Sequence, residues 1–390
     1  MSTLDQTLDQ HTAPEITSSV TYVDVLVVGA GQAALALAHY LNDTRHSYLL
    51  VDAAPEIGHS WRSRWDSLHL FTPSEHDALP GLPFPAAPGT YPSKDDVADY
   101  LHRYILEFDL PIRLNTSVTA LYRDADGSYL AEAKEGRVRA RQVVIATGPF
   151  QVPLLPPAAG RLDPGVLQVH SNDYRNPAAL PPGRVLVVGA GNSGCQIAKE
   201  LIATHQVELA TGGRNPVLPQ RPFGRDVWWW ASGLRVDRVT AGSRLGRRLA
   251  GRDPVFGDGP RQLGRRYGVS IRPRVTGATG RTVSFQDGSS TEVDAVVWAT
   301  GYRTDHSWID VPDAVDDSGR LRQVRGVTPA PGLYTLGLPW QHTRGSALLG
   351  WVGADAEVVA AHIAATAIHR DRESVTVRRT RTEQIASADL

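Results

Sequence analysis

The residues best placed to do chemistry here are glycines. Val185-Leu-Val-Val-Gly-Ala-Gly-Asn-Ser-Gly194 reads as a buried strand, a tight turn and the start of a helix. Gly189, Gly191 and Gly194 set the G-x-G-x-x-G spacing, which lets backbone N–H groups at a helix N-terminus approach a pyrophosphate. One such match says little alone. A second copy stands upstream, Val25-Leu-Val-Val-Gly-Ala-Gly-Gln-Ala-Ala34, with Gly29, Gly31 and, in the third position, Ala34. Two copies in 390 residues point to two bound nucleotides, a flavin at one turn and a nicotinamide at the other.

Each turn needs elements to hold it. Val23–Val28 is the first expected strand, Gln32–Leu41 its helix, and His46–Val51 the next strand, ending at Asp52. A carboxylate about 20 residues past the glycines can hold ribose hydroxyls. Beyond the second turn, the strand Gln206–Ala210 leads to Thr211-Gly-Gly-Arg214, where a cation suits the 2′-phosphate of NADP. Two strands end alike, in Ala146-Thr-Gly148 and Ala299-Thr-Gly-Tyr-Arg303. Ser93 is an expected N-cap for a helix to about Phe108, and residues 112–138 alternate as a β-meander. Leu333–Leu336 reads as a last core strand, and Ser346–Thr366 as a long apolar closing helix. The loop Gly58–Pro73 is dense in aromatics and arginine, which suits either a cover for a planar cofactor or a packed surface loop. Val227-Trp-Trp-Trp230 cannot turn all three rings to one core, leaving at least one for a pocket or an interface.

Composition removes other classes. The net charge is −1, so no overall field favours nucleic acid or an anionic membrane. The arginines between Arg235 and Arg274 are mixed with aspartates and read as a solvated face. No apolar run approaches the roughly 20 residues of a membrane span. The polar stretch Met1–Ser19 reads as a disordered lead-in rather than a signal peptide, and a cytoplasmic chain is expected. Cys195 is the single cysteine, so a redox-active cysteine pair is excluded. No metal-ligand constellation stands out among the 13 histidines.

With both glycine turns, the Gly58–Pro73 loop, the two Ala-Thr-Gly strand ends and His170-Ser-Asn-Asp-Tyr174, the chain resembles the flavin-containing monooxygenases, in particular their bacterial and plant-auxin-type branch. The resemblance runs from about Val23 to Thr366. It implies an α/β fold of two Rossmann-like dinucleotide-binding domains in the glutathione-reductase-like arrangement, an FAD domain (21–153 and 296–370) with an inserted NADPH domain (154–295). A lead-in (1–20) and a polar tail (371–390) flank them.

The resemblance places FAD on Gly29, Gly31, Ala34 and Asp52, helped by Trp61, Arg62, Leu68 and Thr147. It places NADPH on Gly189, Gly191, Asn192, Ser193, Gly194 and Arg214, with Thr300, Gly301 and Tyr302 at the second strand end. The family linker motif corresponds to Pro164–Tyr174, with one extra residue between Gly165 and His170. Animal-type members carry an Asn near the position of Phe71, and this chain has none between Asn42 and Asn115. Thr72 or a backbone N–H is the expected substitute, unless the adduct is short-lived; His170 is a positioning group on the nicotinamide side, and Gln341, with His342 and Arg344, the flavin-edge or substrate mouth.

The implied reaction is reduction of FAD by NADPH, formation of a flavin C4a-hydroperoxide with dioxygen, and transfer of one oxygen to a small nitrogen or sulfur nucleophile. The rivals are an NADPH-dependent flavin reductase or oxidase without oxygen insertion, and a flavin-bound redox sensor or transport accessory protein. A homodimer is left open.

Overall fold

A computed structural model describes residues 20–213, 215–250 and 253–365. The lead-in except Val20, the tail over 371–390, and Arg214 lie outside these described residues. In chain order the helices are α1 (Gln32–Asn42), α2 (His59–Arg62), α3 (Lys94–Phe108), α4 (Asn192–Leu201), α5 (Val227–Gly233), α6 (Arg244–Leu249), α7 (Pro260–Tyr267) and α8 (Val352–Ala365).

The first sheet is eight-stranded and grows from Val20–Val28, which pairs in parallel with Tyr48–Val51 on one side and Gly136–Ile145 on the other. Successive side chains of a strand face opposite ways. Val25 and Val27 therefore enter an apolar cluster with α1, α3 and α8, while Leu26 and Val28 enter a second one on the other face. That two-sided burial is why the strand reads as a continuous apolar run. Gly136–Ile145 is a single strand with two kinds of partner. Residues 136–140 pair antiparallel with Tyr129–Ala133, and 143–145 pair parallel with Leu333–Thr335. The meander arm and the later strand expected separately are thus one element.

The second sheet has five parallel strands in the order Ser270–Arg272, Gln206–Ala210, Arg184–Val188, Ala295–Trp298, Leu167–His170. It repeats the same layering, with Val185 and Val187 on one face and Leu186 and Val188 on the other. Because Ala295–Trp298 pairs with Arg184–Val188, the domain boundary expected at residue 296 cuts through a strand of this sheet. The chain passes between the sheets just after each Ala-Thr-Gly, where Val152–Pro153 and Tyr302–Arg303 form an antiparallel ribbon.

The closing helix starts at Val352 rather than Ser346. Residues 344–347 instead form a 3-10 turn, and a side chain on Gly350 would collide with the carbonyl oxygen of His76. The segment is shaped by that close approach, not by helical propensity. α3 begins as its sequence implies: Ser93 Oγ accepts from the Asp96 N–H at 3.2 Å and the Ser93 N–H donates to Asp96 Oδ2 at 2.8 Å. Ser93→Ala removes this reciprocal cap and is expected to lower the unfolding free energy by about 1 kcal/mol, read as a shift in denaturant midpoint.

Candidate active site

Both glycine turns rest on a backbone collision avoided. Gly29 holds φ +106° and Gly189 φ +108°, and a Cβ on either would strike the carbonyl of Ala146 or Ala299 respectively. Each Ala-Thr-Gly end is therefore the packing partner of one turn, which explains why both motifs occur twice. Gly31 and Gly191 face the other way, into open space, and a Cβ on either would have no atom within 4 Å. Each is the N-cap of its helix, and neither α1 nor α4 has a side-chain cap, whereas α3, α5 and α6 are capped by Ser93, Asp226 and Ser243. An uncapped helix N-terminus beneath open space is suited to a pyrophosphate. Asp52 stands against the first turn, its Oδ2 accepting from the Ala30 N–H at 2.6 Å and its Oδ1 from the Ala54 N–H at 2.8 Å. A carboxylate has further lone pairs for ribose hydroxyls. These residues fit FAD at the first turn and NADPH at the second.

The third positions differ for a local reason. A side chain on Gly194 would collide with the Gly189 carbonyl, while Ala34 is accommodated in full burial. Asn192 is turned to the protein, its amide donating to the Pro254 carbonyl and accepting from the Phe256 N–H at 2.9 Å. Ser193 is half-buried at the first turn of α4. Trp61 packs on the core of the first sheet and Leu68 on that of the second.

Several expected cofactor contacts are engaged elsewhere. Arg62 meets Asp99 of α3 at 2.5 Å and lies near Glu56 and Asp95. Thr147 Oγ1 accepts from Gln151 at 2.8 Å, and Thr300 donates to the Leu154 carbonyl. Tyr302 accepts from Arg64 at 2.6 Å, and Arg64 also donates to Asn172 at 2.7 Å. Arg64, one of the arginines of the Gly58–Pro73 loop, therefore ties that loop to the crossing between sheets.

His170 belongs to the same crossing. Its Nδ1 accepts from the Asn172 N–H and its Nε2 lies 3.1 Å from the Gly301 carbonyl, so Nε2 carries the proton. Both nitrogens are occupied, and burial pulls its pKa below the ordinary imidazole value. This histidine positions the Gly301 turn as a neutral ring.

The space between the two sheets is walled by aromatics. Phe71 stacks on Phe256 at 4.6 Å, Trp228 lies 5.4 Å from Phe256 and 4.9 Å from Trp351, and Trp351 stacks on His76. Trp228 Nε1 and Gln220 both donate to the Phe71 carbonyl, fixing the wall to the flavin-side loop. The Arg344 guanidinium sits 5.5 Å from both the Trp228 and Phe256 rings, with no salt bridge to a described residue. Burial lowers its pKa. A neighbouring cleft of about 340 Å³ is lined by Leu70, Phe71, Tyr91, Gln196, Gln220 and Phe256. Gln341 is buried, its Nε2 without a partner, and follows Trp340, which holds a left-handed φ of +57°.

Residues 26–218 match the family model described as pyridine nucleotide-disulphide oxidoreductase. The chain is 45% identical to an uncharacterized CzcO-like oxidoreductase of Geobacillus kaustophilus, covering 86% of this chain and 96% of that one. It is 30% identical to the rice indole-3-pyruvate monooxygenase YUCCA1, over 90% and 94% of the two chains. Its fold matches a flavin-containing monooxygenase from Stenotrophomonas maltophilia with a TM-score of 0.74 at 28% identity, covering 88% and 98%. The chain belongs to the flavin-containing monooxygenase family. It is an enzyme that uses FAD and NADPH. Its one thiol fits this: Cys195 is buried, and burial pushes its pKa up to about 12, which leaves it unreactive.

Next to Phe71 lies a buried polar pair. Thr72 donates to Asp77 Oδ1 at 2.5 Å, both residues buried, and Asp77 Oδ2 has no partner. Nothing in Glu75-His-Asp-Ala78 distinguishes a buried acid from a loop acid, so Asp77 is visible only in the fold. Burial pushes its carboxyl up to about 7, opposed by the Thr72 hydrogen bond and reinforced by the Glu75 charge. The folded chain thus holds this proton more tightly than the unfolded chain, whose carboxyl titrates near 4. The resulting stability is complete below about pH 4 and is lost as pH rises through about 7. Relative to Asp77→Asn, the wild-type protein should lose about 3 kcal/mol of unfolding free energy between about pH 5 and about pH 8. Denaturant titrations of both proteins at each pH measure the difference; a constant offset would mean that Asp77 is ionised throughout.

Proposed function

We propose that this enzyme is an NADPH- and oxygen-dependent monooxygenase that oxygenates a small substrate at a soft nitrogen or sulfur. The observation that carries the reading is an aromatic cluster that joins the two nucleotide-binding parts of the chain: Phe71 and Trp351 of the first pack on Phe256 and Trp228 of the second. FAD, when bound, takes hydride from NADPH and in its reduced form activates dioxygen. The protein's part is to orient both nucleotides and keep water from the reacting edge. In this reading the first sheet, with 21–153 and the chain after about 299, carries FAD, and 154–298 carries NADPH. In this reading Thr72, whose proton goes to Asp77, offers its oxygen only as an acceptor, and Gln341, buried with its amide Nε2 unpaired, belongs to the mouth.

A second reading of the substrate draws on Arg344. A buried guanidinium between aromatic rings, in no salt bridge with a described residue although the Asp253 charge acts on it, suits a planar substrate bearing a carboxylate, the kind of molecule in the name of the rice relative. Comparing NADPH consumed, hydrogen peroxide released and product formed with amines, sulfides and aryl 2-oxo acids separates the readings. With a true substrate, peroxide should fall as product rises. Arg344→Gln should raise KM for a carboxylate substrate roughly tenfold to a hundredfold and leave neutral substrates nearly unchanged. Stoichiometric peroxide with every compound would make the protein a flavin reductase or oxidase instead.

A further inference from the structure

Helix α5 has two working faces. Trp228 turns inward to the wall, while Trp229 is 51% exposed on the other side. Phe223, 96% exposed, packs on the Trp230 ring next to Trp229, and Leu234, 72% exposed, follows at the end of the helix. Phe223 and Arg235 both hold a left-handed φ, +54° and +56°, an unfavourable conformation that at Phe223 is offset by almost no buried contact. A folded chain gains nothing in water from presenting these side chains outward.

The segment's own charge is mostly positive, with Glu75 of a neighbouring loop acting on Arg221. Seven arginines fall between Arg221 and Arg248, against only Asp226 and Asp237. Both aspartates are drawn inward, Asp226 to Tyr91 and the Trp228 N–H, Asp237 to Trp351 Nε1. Among the described residues, none of the seven arginines is in a salt bridge. Arg225 lies 5.3 Å over the Trp229 ring, so cation and aromatic share one patch.

We propose that this face, centred on Phe223, Trp229 and Leu234, docks on an anionic lipid bilayer surface. Aromatic and aliphatic side chains ringed by arginine are what such an interface takes, the rings entering the headgroup level and the guanidinium groups pairing with lipid phosphates. A second copy of the chain would set two arginine-rich faces against each other. A nucleic acid would use the arginines but leave Leu234 without a role. No helix among the described residues is long and apolar enough to cross a membrane, so the contact is peripheral. Trp228 and Trp229 are adjacent, so docking would bring the bilayer next to the wall of the active site. The proposal is independent of which substrate is oxygenated.

The test is flotation of the full FAD-loaded chain with vesicles of phosphatidylcholine alone or mixed with phosphatidylglycerol. Binding is expected only to the anionic vesicles, and added salt should weaken it. Arg235→Gln and Arg238→Gln should each weaken it roughly fivefold. A Phe223→Ser, Trp229→Ser, Leu234→Ser variant should abolish it, with its flavin absorbance and vesicle-free NADPH oxidation unchanged. If the triple variant folds poorly, the two arginine variants still decide the matter. Absent binding, equal binding to both vesicles, or arginine variants that bind as wild type would overturn the proposal. So would vesicle-independent dimers that these substitutions dissolve, or capture by heparin without capture by vesicles.

Discussion

The structure depends on a backbone contact made twice. At Gly29 and at Gly189 the chain turns against the carbonyl at the end of a neighbouring strand, Ala146 or Ala299, with no room for a Cβ. This contact brings the strand end, the turn and the helix N-terminus into one rigid corner. It aims the free N–H groups of α1 and α4 at open space over Gly31 and Gly191. It also places the crossings between sheets immediately after those carbonyls, so the geometry of each nucleotide site and the joint between the sites are set by the same residues. Arg64, His170, Asn172 and Tyr302 then lock that joint with hydrogen bonds among themselves and to the Gly301 carbonyl.

The reacting space is built differently, from segments far apart in sequence. Phe71 comes from the loop after α2, Trp228 from α5, Phe256 from the short strand that Asn192 holds, and Trp351 from the turn before α8. Asn192 thus links the wall to the N-terminus of α4 through the Phe256 N–H. A wall made this way excludes water only when both sheets are in place, which ties a dry site to a fully folded chain.

What is legible in the sequence follows from this division. The turns, Asp52, the strands flanking them and the cap at Ser93 depend on local backbone geometry, and local geometry leaves spacing in the sequence. The wall depends on side chains brought together by tertiary packing, so Val227–Trp230 shows only as a cluster without a place, and Phe256 and Asp77 give no signal. The closing helix begins at Val352, later than its apolar sequence suggests; Ser346 lies in a 3-10 turn, and Gly350 sits against the His76 carbonyl, a tertiary contact that the sequence does not announce. Thr147 and Thr300 follow the strand ends, where cofactor ligands are expected, yet their hydroxyls bond to Gln151 and Leu154 at the crossing.

The most direct measurement uses the open space itself. Gly31 and Gly191 have extended N-cap backbones that any residue can adopt, and apart from the adjoining residues no protein atom lies within 4 Å of an added Cβ. Gly31→Val and Gly191→Val should therefore fold with unchanged far-ultraviolet circular dichroism, and each should obstruct one nucleotide. Flavin content and anaerobic bleaching by NADPH are then compared. Gly31→Val is expected to purify without flavin. Gly191→Val is expected to remain yellow and to bleach with dithionite, but with NADPH only at far higher concentration than the wild type needs. A yellow Gly31→Val protein, or a Gly191→Val protein that bleaches at the wild-type NADPH concentration, would contradict the assignment of one nucleotide to each turn.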